Sequence, residues 1–77
     1  MNKDAFYLKM DELLEAAAGT VQGSSALANL EDWNSLAVIG FIAMVDTEYG
    51  VSLPAKAILS CRTVDDLAAL VAEAPRA

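Results

Sequence analysis

Apolar side chains recur at helical spacing over most of the chain. From Asp4 to Ala18, Phe6, Met10, Leu13, Leu14 and Ala17 return every three or four positions, on one face of an amphipathic helix. Lys9, Asp11, Glu12 and Glu15 fall mostly elsewhere, and Gly19 is placed to end the helix as a C-terminal cap. The periodicity then stops. Between Gly19 and Asn34 small and polar residues dominate, with Val21, Leu27, Leu30 and Trp33 interspersed, which predicts a long loop pinned to the core. A second helix is predicted over Ser35 to Tyr49, with Asn34 as N-cap and Gly50 closing it. Its β-branched residues also suit a strand, but its length and its capping pair favour helix. At 100° per residue Val38, Phe41, Ile42, Val45 and Tyr49 share the core side. Leu36, Ala37, Gly40, Ala43, Met44 and Thr47 share the other, with no charge among them.

Leu53-Pro54 marks a turn, and Ala55 to Ser60 reads as one or two helical turns. Thr63-Val64-Asp65-Asp66 opens a last helix, with Thr63 as cap and both aspartates where the helix dipole favours negative charge. Its apolar stripe is Val64, Leu67, Leu70 and Val71, and Ala74-Pro75-Arg76-Ala77 is a tail. The predicted fold is all-α: one domain over residues 1–77, a small up-down four-helix bundle of three main helices and a short third, with a long first loop. The expected interior is Phe6, Leu13, Leu14, Leu30, Phe41, Ile42, Val45, Tyr49, Ile58, Cys61, Val64, Leu67 and Leu70.

Composition narrows the chemistry. The chain has 77 residues, a net charge of −6, no histidine and one cysteine. A single thiol forms no internal disulfide, and the usual nitrogen and sulfur ligands of a zinc site are missing. The acidic balance argues against nucleic acid, whose phosphates require a basic patch. The longest apolar stretch, Leu36 to Val45, is ten residues, half of the roughly 20 that a membrane span needs. The acidic, interrupted N-terminus does not read as a signal peptide, so a cytoplasmic setting is expected.

Catalytic constellations are also missing. Ser35 has no histidine to activate it and no lysine near it in sequence, which argues against a serine hydrolase. The four glycines are scattered rather than gathered in a phosphate loop. Asp46-Thr47-Glu48-Tyr49-Gly50 lacks the ligand spacing of a calcium loop. The carboxylates read as a solvated surface, and Cys61 as a small core hydrophobe. No autonomous enzymatic activity is expected.

One segment stands out: Trp33-Asn34-Ser35-Leu36 at the start of the second helix. It resembles the acyl carrier protein family, which carries Asp-Ser-Leu, often preceded by Trp, at that place. The resemblance continues through Asp46-Thr47-Glu48-Tyr49-Gly50-Val51, Leu53-Pro54 and Thr63-Val64-Asp65-Asp66-Leu67, and so covers nearly the whole chain. It implies that the Ser35 hydroxyl is joined through a phosphodiester to 4′-phosphopantetheine from coenzyme A, with Asn34 and Leu36 flanking the attachment. It implies a phosphopantetheinyl transferase as modifying partner, then an acyl-activating ligase, ketosynthase or acyltransferase, meeting a monomeric carrier of fatty acid, polyketide or specialised biosynthesis. The arm's thiol would hold the acyl group as a thioester. The residues agree on one point: a helix N-terminus suits a phosphate. An aminoacyl or peptidyl carrier of a nonribosomal pathway, or an unmodified helical adaptor, are the alternatives.

Three departures from the family pattern bear on partners. Asn34 replaces the usual aspartate, keeping the cap but losing a charge that Asp32 and Glu31 offset. The outer side of the second helix lacks its usual acids, and Lys56 reverses the sign after Leu53-Pro54. The expected partner surface is therefore uncharged over Trp33, Leu36, Ala37, Gly40, Met44 and Thr47, with Asp32 and Lys56 beside it. Gly40, which costs about 1 kcal/mol against alanine in a helix interior, is expected to admit close approach by a partner.

Overall fold

A computed structural model describes residues 2–74. Four α-helices follow one another: α1 over Lys3–Leu13, α2 over Ser35–Tyr49, α3 over Ala55–Leu59 and α4 over Val64–Glu73. A single 3-10 turn, Leu27–Asn29, interrupts the long first loop. Among the described residues there is no strand, only an isolated antiparallel bridge between Ala26 and Thr63. The helical bundle expected from the sequence is the fold. The tail expected after Ala74 lies outside the described residues.

The first helix stops earlier than its periodicity predicts. It ends at Leu13, not Ala18, and Gly19 does not cap it. Glu15 takes the left-handed conformation at φ 55° instead. The Glu15 N–H donates to the carbonyl of Glu12 (3.1 Å) and the Ala16 N–H to that of Asp11 (2.8 Å), the paired bonds of a Schellman ending. A side chain in this region carries a steric cost that glycine avoids. What holds the turn in place is Asp11, the one buried charged residue among those described. Its carboxylate accepts from the Gly19 N–H (2.9 Å) and the Val21 N–H (2.7 Å), folding the chain back across the end of α1.

The loop is pinned, as expected, and by backbone as much as by side chains. Val21 and Leu27 are buried, and Leu30 and Trp33 pack half-buried against the core. The Leu27 N–H donates to Arg62 (2.8 Å), while Val64 and Asp65 donate to Ser25 (3.1 Å) and Gly23 (2.9 Å). Residues 23–27 are thereby laced to the start of α4. Gly23 is obligatory there, because a Cβ would lie 2.5 Å from both the Asp65 carboxylate and the Tyr7 hydroxyl.

The second helix begins and ends, and α4 begins, as their capping residues direct. Asn34 Oδ1 accepts from the Ala37 N–H at 3.0 Å. Gly50, at φ 64°, donates back to Asp46, an αL ending. Thr63 and Asp66 form a complete capping box on α4. The core centres on Phe6 and Met10 of α1, Val38, Phe41 and Val45 of α2, Ile58 of α3, and Val64, Leu67, Ala68 and Val71 of α4. Phe6 and Trp33 each meet Phe41 edge to face, at 6.1 and 5.9 Å between ring centroids. Six residues expected inside are only half-buried against this core: Leu13, Leu30, Ile42, Tyr49, Cys61 and Leu70. Met10, Val21, Leu27, Val51, Leu53 and Ala68 take their place.

Candidate functional site

The site is built at the start of α2, where the loop delivers Trp33, Asn34 and Ser35 in succession. The Trp33 indole rests edge-on against Phe41, and the Trp33 backbone N–H donates to the Leu30 carbonyl at 3.0 Å, so the entry to the helix is anchored. Asn34 occupies the cap in extended backbone. Ser35 is therefore the first helical residue rather than the cap, and it is exposed. Among the described residues its hydroxyl takes no hydrogen bond.

Backbone chemistry here suits an anion. The first N–H groups of any helix lack intrahelical acceptors. In α2 Ala37 is satisfied by Asn34 Oδ1 and Val38 by the Asn34 carbonyl, which leaves the N–H groups of Ser35 and Leu36 for an outside acceptor. No acidic residue lies in the first turn, and the cap itself is neutral, so no charge within the helix start opposes a phosphate at the positive end of the dipole.

Two open grooves flank this point. One, of about 410 Å³, runs between α1 and α2 and is lined by Leu13, Leu14, Glu15, Asp32, Asn34, Leu36, Ala37, Ile39 and Gly40. The other, of about 370 Å³, runs between α2 and α3 and is lined by Trp33, Asn34, Ser35, Val38, Ile39, Ala55 and Leu59. The first carries two carboxylates, and the second is walled almost entirely by apolar groups.

Of the residues expected on a partner surface, Asp32, Leu36, Thr47 and Lys56 are exposed, and Trp33 is half-buried beside Ser35. Three others need correction. Ala37 is buried, 8% exposed, and faces the core. Met44 is half-buried and packs against that core. Gly40 serves an internal approach: a Cβ there would lie 2.8 Å from Leu13 Cδ1, so α1 is the neighbour that the missing side chain admits. Two exposed residues escaped the sequence reading, Ile39 at 64% and Leu59 at 70%. The i, i+3 pairing of Ile39 with Leu36 was the available signal.

Remaining titratable groups serve structure. Burial pushes the Cys61 thiol above its usual range, with Asp66 adding to the effect. The thiol donates weakly to the Ala57 carbonyl at 3.6 Å, as a packing group rather than a nucleophile. The backbone N–H groups of Arg62 and Thr63 hold the Asp66 carboxyl below the ordinary aspartate range. Among the described residues no group of carboxylates and thiols converges as a metal site, and no helix is long and apolar enough to cross a membrane.

Compared with curated proteins, the sequence finds no match. A family model described as the phosphopantetheine attachment site matches residues 10–71, from the end of α1 into α4. Carriers of this kind meet phosphopantetheinyl transferases and biosynthetic enzymes. With that match spanning the helical bundle and the exposed serine at the head of α2, the chain belongs to the phosphopantetheine-attachment family, a carrier whose prosthetic group is 4′-phosphopantetheine.

Proposed function

We propose that residues 1–77 form one carrier domain and that Ser35 bears the arm. One observation carries this reading: the Ser35 hydroxyl stands exposed at the first position of α2, while Asn34 alone does the capping. A serine needed to cap would have its oxygen engaged with the helix N-terminus. The backbone N–H groups of Ser35 and Leu36 would hold the phosphodiester, and Asn34 would keep them aligned. When bound, the group supplies a thiol on a long arm that carries cargo as a thioester, whereas the Cys61 thiol packs against the core.

Attachment joins Ser35 Oγ to the phosphate of coenzyme A that bears the pantetheine. The pyrophosphate P–O bond breaks, 3′,5′-ADP leaves, and the hydroxyl proton passes to a base on the transferase. Asp32 and Glu31, both exposed just before the cap, are the charges available to a basic transferase. The domain performs no further reaction. It presents an acyl group to a ligase, ketosynthase or acyltransferase in the cytoplasm, and works as a monomer.

Incubation with coenzyme A and a broad-specificity transferase tests this directly. Intact mass spectrometry should show one added phosphopantetheine, mapped to Ser35 by peptide fragmentation and lost in Ser35→Ala. No gain in the wild type, or a gain that persists in Ser35→Ala, would sink the assignment and leave an unmodified helical adaptor.

A further inference from the structure

We infer that the α2–α3 groove beside Ser35 docks a partner enzyme through an apolar side chain, with a partner carboxylate opposite Lys56. This rests on the carrier reading above and names the partner chemistry of the same site.

Three large apolar residues surround the serine in water: Leu36 at 77%, Ile39 at 64% and Leu59 at 70% exposure. Ile39 of α2 and Leu59 of α3 line one groove together with Ala55 and Ser35. Isolated exposed leucines are ordinary, but a cluster rimming a groove at a functional residue marks an interaction surface.

Charge decides what kind of partner fits. From Ser35 to Val45 α2 carries no charged residue, and α3 carries only Lys56, one position from the groove-lining Ala55. Lys56 is exposed and takes no ion pair among the described residues, whereas Lys3 and Lys9 are committed to Asp65 and Glu48. A basic partner surface would bring like charges together here. A carboxylate placed over Lys56 gains a complementary contact at the rim of an apolar seat, where charge selects partners. A second copy of this chain fits poorly, since two molecules each carrying −6 repel.

The test uses the holo protein and an acylating enzyme purified from source cells by its ability to load it. Wild type, Lys56→Glu, Lys56→Arg, Ile39→Ser and Leu59→Ser are each converted to the holo form. Intact mass sets equal holo content, and circular dichroism verifies the fold. Lys56→Glu should lower kcat/KM for loading by about tenfold, Lys56→Arg should stay within about twofold of wild type, and each serine variant should lose about fivefold. Loading of Lys56→Glu at or above the wild-type rate overturns the proposal, as does a wild-type dimer in sedimentation at working concentration. Failure of the wild type to accept the arm, or of any fraction to acylate the holo protein, overturns the carrier reading instead.

Discussion

Two regions of this small bundle are built on different terms. In one, the loop, α1 and the start of α4 are bound by polar contacts: Asp11 on Gly19 and Val21, Tyr7 on Asp65 at 2.5 Å, and the Thr63–Asp66 box. In the other, around Ser35, Asn34 supplies a lone side-chain cap, and Leu36, Ile39 and Leu59 stand in water. The first region secures the chain. The second leaves apolar surface and two backbone donors uncommitted, which a stable fold does not require and a recognition site does. In a domain of this size only a few such features can be carried.

The largest blow should come from Asp11→Ala. It strands the N–H groups of Gly19 and Val21, the second of them buried, and releases the turn at Glu15, so urea denaturation should report a loss of about 3 kcal/mol. A loss near zero would mean that the loop holds without its central acceptor. Asn34→Ala should cost less, about 1 kcal/mol, by leaving the Ala37 N–H without its partner. It should also slow arm attachment, which a purely stabilising cap would not do once the protein is folded.

The pH response should separate the two regions further. Asp66 is held below the ordinary aspartate range by the N–H groups of Arg62 and Thr63. Its contribution to stability is therefore complete above the unfolded value of about 3.9 and is lost as pH falls through the lower folded value. Stability should drop more steeply below about pH 4 in the wild type than in Asp66→Asn, whose side chain binds no proton. Equal slopes in acid denaturation would remove Asp66 as the cause. The smallest effect belongs to Ile39→Ser and Leu59→Ser, each expected within about 0.5 kcal/mol of wild type in stability. A loss several times larger would make those side chains part of the core instead of a surface held ready.

Most of the architecture was legible, because caps and periodicity agreed. Asn34, Gly50 and Thr63 mark their helix ends by mechanisms that a sequence displays. The end of α1 was not legible. Gly19 looked like the natural cap, but Glu15 takes the left-handed turn because Asp11 reaches across the chain to hold it, a tertiary contact with no local mark. The outer face of α2 was only half legible, for a different reason. Without polar residues between Ser35 and Asp46, nothing in the pattern distinguished Ala37, which is buried, from Ile39, which is exposed. An Ala37→Asp exchange would therefore strike the core rather than probe docking. Ser35 stood out only through the resemblance of Trp33-Asn34-Ser35-Leu36 and the segments after it to a carrier family, since a serine at a helix start is ordinary by itself.

Asn34 binds no proton, so acid cannot disarm the helix that presents the serine. The box on α4 has no such immunity. A molecule carried into an acidic medium would begin to fray at the root of its last helix while the head of α2 kept its shape.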